Sequence, residues 1–216
     1  MIPPEISQVF DELQTEITWL HCRWIVFGQL FNGSQARLDL LNESASAFFF
    51  VAQDSIISDV QVTLSKLTDP AQTGRMHNLS LEQPLLGLIS LGETELTRSL
   101  RHLLDEIHSK CAAFRLQRNK RLAHLDLHTA LQKGSSTLPT ITIDMIETAL
   151  SLIREFMNSV EGHYTDSETG YEHFIMRASD GDTLVHLLKS AHRYDELVQS
   201  QKIGFDDLEN SRWKDV

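Results

Sequence analysis

The chain has 216 residues, 41% of them hydrophobic, enough to bury a substantial core without disulfide or metal staples. Its net charge of −11 argues against a protein that coats nucleic acid through global electrostatics. The two cysteines, Cys22 and Cys111, sit in apolar helical patterns, which indicates neither a disulfide framework nor a zinc knuckle and fits a reducing compartment.

The opening Pro3-Pro4-Glu5 lacks the basic stretch and apolar run of a signal peptide, and no apolar segment reaches the roughly 18 residues a membrane span needs. The expectation is a cytoplasmic protein without a membrane partner. In the first helix Ile6, Phe10, Leu13, Ile17, Leu20, Trp24, Phe27 and Phe31 recur at alternating spacings of four and three, until Asn32-Gly33-Ser34 stops it. A second helix runs from Ser34 or Gln35 toward Leu67, with Leu38, Leu41, Ala45, Phe48 and Ala52 on one stripe and Asp69-Pro70 as terminator. These two are expected to form an antiparallel hairpin. Residues 68–79 read as a polar connection, and Ser80 with Gln83 has the spacing of a capping box for a short helix ending near Gly92.

Leu96, Leu100, Leu103, Ile107, Cys111 and Phe114 then mark a helix from Thr94 into a basic region. From Arg98 to Arg121, seven basic residues stand against Asp105 and Glu106, so the molecule is polarised. Gly134 to Pro139 breaks the pattern, and Ile143, Ile146, Leu150, Ile153, Met157 and Val160 predict a further helix ending near Gly162. In the polar stretch Tyr164 to Gly181, Phe174, Ile175 and Met176 read equally as a short strand or a packed loop. A last helix, capped by Asp180 or Asp182, carries Leu184, Leu188, Ala191, Tyr194 and Val198, and an acidic tail follows Ile203. The whole predicts an all-α antiparallel helical bundle over residues 1–162 and a C-terminal extension, 163–216, with one additional amphipathic helix. The aromatic set Trp19, Trp24, Phe27, Phe31, Phe48, Phe49 and Phe50 is assigned to core packing rather than base stacking.

The seam of the helix from Thr94 would next place apolar residues at 118 and 122, yet position 118 is an arginine. The stretch Arg118-Asn119-Lys120-Arg121-Leu122-Ala123-His124-Leu125-Asp126 resembles the signature of the HEPN family: an arginine, a polar residue, and a histidine after four to six intervening positions, here five. The long aromatic-rich first helix, second helix, variable connection and motif-bearing later helix are similar to the abortive-infection, AbiU-like branch over roughly residues 5–160. The resemblance implies a homodimer in which the motifs of two protomers meet and cut RNA without metal or other cofactor. It also implies a toxin-like or antiviral role, with a cognate antitoxin protein as a partner.

The residue types suit that chemistry. Cleavage of RNA by its own 2′-hydroxyl needs a proton carrier active near neutrality, the role of His124, and a fixed cation on the phosphorane, the role of Arg118. Asn119, Lys120, Arg121 and Asp126 are the supporting or RNA-binding candidates. On a regular helix Arg118 and His124 diverge by about 120°, so they converge through arginine's reach, a local helix distortion or, the favoured route, a second subunit. Duller readings stand beside these: Arg118 paired with an acidic residue of a neighbouring helix, His124 a satisfied histidine on a helix flank, and the whole a non-catalytic module of the same fold that binds RNA, a nucleotide or a protein. Arg121 with His128 has acceptable spacing, but an apolar Leu122 follows that arginine. A metal on His124 and His128 is not expected, since Asp126 points away from both.

Overall fold

A computed structural model describes residues 1–122, 131, 138–174 and 179–202, and it is an all-α helical bundle. In chain order come α1 (Pro4–Phe31), α2 (Gln35–Leu67), a minimal antiparallel hairpin β1 (Gln72–Thr73) and β2 (Met76–His77), then α3 (Glu82–Leu91) and α4 (Thr94–Gln117). A π-helical turn (Arg118–Leu122), α5 (Ile143–Thr165), a 3₁₀ turn (Tyr171–His173) and α6 (Gly181–Gln199) follow. No helix of the described residues is long and apolar enough to cross a membrane. The chain folds as two compact units, one of residues 1–25 and 54–175, the other of residues 26–53 and 176–216.

In the first unit the α1 seam is buried as its spacing predicts: Ile6, Phe10, Leu13, Ile17 and Leu20 are all but inaccessible. Each such side chain contributes about 1.5–3 kcal/mol over leaving it in water. The same unit buries Val60, Leu64 and Leu67 of α2, Leu85 and Leu88 of α3, and the inner faces of α4 and α5, which pack on each other. On α4 the buried positions are Leu100, Leu104, Ile107, Cys111 and Phe114. Leu104 takes the place expected for Leu103, which is only partly covered. Helix α5 starts on Thr142, whose hydroxyl accepts from the Met145 N–H at 3.3 Å, and continues past Gly162 to Thr165. Asp166 ends it in the left-handed region, at φ 55°.

The connection from 68 to 81 is more ordered than a polar loop. A two-residue turn at Gly74 (φ +59°) closes the β hairpin, and the Asn78 amide donates to the Pro70 carbonyl at 2.7 Å and to the Thr73 hydroxyl at 2.8 Å. The capping box at Ser80 and Gln83 does not form. Gln83 turns instead to the loop, donating to the carbonyls of Ala71 (2.8 Å) and Asn78 (3.0 Å), while the Ser80 hydroxyl has no partner among the described residues. The Ala71 carbonyl also accepts the Asn78 backbone N–H at 2.9 Å, and the Gln83 amide adds a second bond there and one on Asn78, so it ties the loop together instead of closing the box. Gly92, at φ 77°, ends α3 and donates back to the Leu88 and Ile89 carbonyls, a closure that favours glycine.

In the second unit Ala45 interrupts α2 with non-helical angles (φ −164°, ψ 68°). A residue that does not advance by 100° resets the helical phase, and the extrapolated stripe fails beyond it. Leu41 is buried, but Ala45 and Phe48 are exposed and Phe49 takes the core position. The aromatic set therefore divides: Trp24, Phe27 and Phe49 are core, whereas Trp19, Phe48 and Phe50 are more than half exposed. Leu30, Leu41, Phe49 and Val185 form the centre of this unit, with Leu184 and Leu188 partly covered. Asp180 caps α6, accepting from the Thr183 N–H at 2.9 Å and, on its other oxygen, from Gln29 at 2.9 Å. Ala191, expected on the apolar face of α6, is exposed. In the stretch before α6, Tyr171–His173 is a single 3₁₀ turn and Phe174 is exposed; Ile175 and Met176 lie outside the described residues.

Candidate active site

The end of α2 and the end of α4 make the site. The last carbonyls of α2 and the Asp69 carboxylate just beyond them form a locally negative helix terminus, with acceptors the helix itself cannot satisfy. Two arginines of the α4 segment cover it. Arg115 donates through one guanidinium nitrogen to both the Thr68 carbonyl (2.5 Å) and the Thr68 hydroxyl (2.8 Å). One turn later Arg118 donates to the Asp69 carboxylate at 2.7 Å, and its Nε reaches the Asn119 side-chain oxygen at 3.2 Å. The Arg118 and Asp69 side chains retain only 19% and 23% of their exposure. A charge thus occupies the position where the seam asks for an apolar residue, held in place by a half-buried ion pair.

At Arg118 the helix widens into the π turn, whose hydrogen bonds reach i+5 instead of i+4. Such turns are uncommon and recur at functional sites. Asn119, Lys120 and Arg121 are exposed on the turn and Leu122 is half-buried, so the described part of the motif presents a basic, solvent-facing surface beside one sequestered arginine. The other predicted site residues, His124 and Asp126, and the alternative His128, lie outside the described residues.

Beside the turn runs a groove of about 330 Å³. One wall is a stripe of α2 carrying Asp54, Ile57 and Gln61; the other carries Gln117 and Arg121, and Pro139 belongs to the segment that closes it. Gln117 is fixed there by donating to the Pro139 carbonyl at 2.9 Å.

A second polar cluster had no signature in the sequence. His21, 2% exposed inside α1, hydrogen-bonds through Nδ1 to the Ile17 carbonyl at 2.8 Å. That fixes the proton on Nδ1 and leaves Nε2 as an acceptor facing Arg154 at 3.4 Å. Burial, and next the Arg154 cation, hold its pKa down to about 4. Its ring lies 5.5 Å from that of Tyr171, and Arg154 also meets Glu172 at 3.5 Å. Arg154, Tyr171 and Glu172 are more than a hundred residues from His21 in sequence, so no spacing rule could join them. The cluster pins the 3₁₀ turn to α1 and α5. His108 on α4 likewise has its pKa lowered, by burial first and then by the Arg115 cation.

A family model described as AbiU2, of the HEPN group, matches residues 4–184, a longer span than the sequence motif and helix order suggested. No curated protein and no solved structure matches the chain.

Proposed function

The chain belongs to the AbiU2 family of HEPN proteins, and from that premise we propose that it is a metal-independent endoribonuclease of toxin or antiviral type. The observation that carries the reading is Arg118: a half-buried guanidinium, oriented by Asp69 at a π turn, beside an exposed basic surface. Arginine's fork suits the phosphorane because it offers two donors in one plane and keeps its charge at every physiological pH. His124 takes the proton from the 2′-hydroxyl; the 2′-oxygen bonds to phosphorus, the P–O5′ bond breaks, and the resulting imidazolium returns the proton to the leaving 5′-oxygen. The products carry a 2′,3′-cyclic phosphate and a 5′-hydroxyl. The basic stretch ending at Arg121 supplies the RNA contacts in an otherwise acidic chain. Two protomers bring their 114–128 segments together about a two-fold axis, so that Arg118 of one serves with His124 of the other. A cognate antitoxin restrains the activity in the cytoplasm.

The test is a cleavage assay in EDTA with end-group analysis of the fragments. Cutting that yields cyclic phosphate ends and is lost in His124→Ala supports the reading, and protein inert on every RNA tried overturns it. One observation favours a second reading: Asp69 already satisfies Arg118. On that reading the arginine is a packing element and the chain is a non-catalytic binding module of the same fold.

A further inference from the structure

The groove beside the π turn does not belong to the Arg118–Asp69 pair, and its chemistry is that of a nucleotide site. Asp54, Ile57 and Gln61 stand at i, i+3 and i+7 on α2, so all three project from one face into the same space. Asp54 and Gln61 are about 10 Å apart along the axis, and the Gln61 side chain leans back toward Asp54 as helical side chains do. Among the described residues neither has a hydrogen-bond or ion-pair partner, although Gln61 is only 8% exposed. The Gln61 amide opens on the groove, so a ligand can partner it without first breaking a bond within the protein. Ile57, Leu122, Leu138, Pro139 and Ile141 supply apolar walls, and Arg121 supplies a cation at the same rim. A volume of about 330 Å³ lies at the small end of ligand pockets, room for one nucleotide rather than an oligomer.

We propose that this groove is a guanine-nucleotide subsite, in which Asp54 and Gln61 read the base and Arg121 holds a phosphate. A carboxylate only accepts, and it accepts two adjacent donors best. Among the four RNA bases only guanine presents two neighbouring donors, its ring N1–H and exocyclic amino group, on the Watson–Crick edge. The Gln61 amide then donates to the guanine O6, and the base lies between apolar walls, as unstacked RNA bases do in their protein sites. Adenine and cytosine would place a ring acceptor against the carboxylate, and uracil offers a single donor between two acceptors. In the ribonuclease reading, on which the RNA form of this inference rests, the groove selects a guanosine next to the scissile phosphate.

The full-length protein should be titrated with 5′-GMP and 5′-AMP and, separately, given RNAs whose guanosines are replaced one at a time. GMP should bind about tenfold more tightly than AMP, the discrimination one well-placed paired contact provides. Asp54→Asn should bring GMP to the level of AMP; Gln61→Leu should weaken GMP and leave AMP unchanged. Asp54 is exposed, so its variant tests recognition with little risk to folding. Equal binding of the two nucleotides, or a GMP preference that survives both substitutions, overturns the inference. A GMP preference in a protein that cuts no RNA leaves the groove assigned and removes the ribonuclease. Cutting indifferent to guanosine, together with a GMP preference, assigns the groove to a free nucleotide. Cutting without any base or nucleotide preference removes the groove and keeps the ribonuclease.

Discussion

Arg118 and Asp69 meet at 2.7 Å where α4 widens, so the guanidinium proposed to receive an RNA phosphate already holds a carboxylate oxygen on one of its nitrogens. The carboxylate orients the fork and also competes for it. Asp69→Asn should therefore lower unfolding stability by about 1 kcal/mol, the order expected when a partly buried cation loses its partner. The same variant should bind RNA more tightly, because the fork is released. Urea denaturation and a filter-binding titration on one preparation check both signs. Stability and affinity falling together would make Asp69 a pure support and not a competitor.

The catalytic division of labour predicts that His124→Ala lowers cleavage by roughly 10²–10⁴-fold with RNA affinity nearly intact. Arg118→Lys should also be damaging, since a point charge does not reproduce two parallel contacts. Mixing the two inactive variants gives a further readout. If each site takes its arginine from one protomer and its histidine from the other, mixed dimers regain one intact site and a fraction of the activity returns. A mixture as inert as its components would confine the pair to one chain.

Lys120→Glu with Arg121→Glu should weaken RNA binding and flatten its dependence on salt, because fewer phosphate contacts release fewer counterions. Both residues are exposed, so unfolding stability should change by no more than about 0.5 kcal/mol. An affinity that is the same in low and high salt would contradict the basic-face reading.

His21 predicts the direction of the acid limb of stability. Its folded pKa lies at about 4, below the unfolded value near 6.5. The unfolded chain therefore binds the extra proton first. Stability is fully present above pH 6.5 and falls as the pH drops toward 4, by up to about 3 kcal/mol from this group. His21→Asn should show a shallower decline than the natural chain over that window, measured by thermal unfolding at half-unit steps.

Phe48 and Phe49 are adjacent and should behave oppositely. Phe49→Ala empties a core position and should cost about 3–5 kcal/mol, whereas Phe48→Ser, on an exposed side chain, should stay within about 0.5 kcal/mol. Equal costs would mean that Phe48 is covered in solution.

The α1 seam was legible because a long uninterrupted helix buries what its period repeats, residue for residue from Ile6 to Phe27. The same extrapolation misled on α2 because one non-helical residue, Ala45, carries no sequence mark of its own. The Ser80–Gln83 spacing failed for a different reason: a tertiary demand from the Ala71 and Asn78 carbonyls outbid a local one. Arg118 was recognisable as an anomaly in its own helix, and an acidic partner on a neighbouring helix was among the readings of it. That the partner is Asp69 was not legible, since Asp69 reads as a helix terminator and its carboxylate becomes a partner only through the crossing of two helix ends. His21 shows the limit most plainly: the Ile17 carbonyl on its own helix is a local partner, but Arg154, Tyr171 and Glu172 arrive from the far end of the chain.

The π turn bears on how the motif tolerates insertion and deletion. A helix that bonds i to i+5 holds one residue more than an α-helical turn would in the same place, so it stores a surplus residue. Deleting Lys120 from Arg118–Leu122 would let the turn close as ordinary α-helix with the phase of Leu122 conserved, where the same deletion in a regular helix would rotate the residue after it by about 100°.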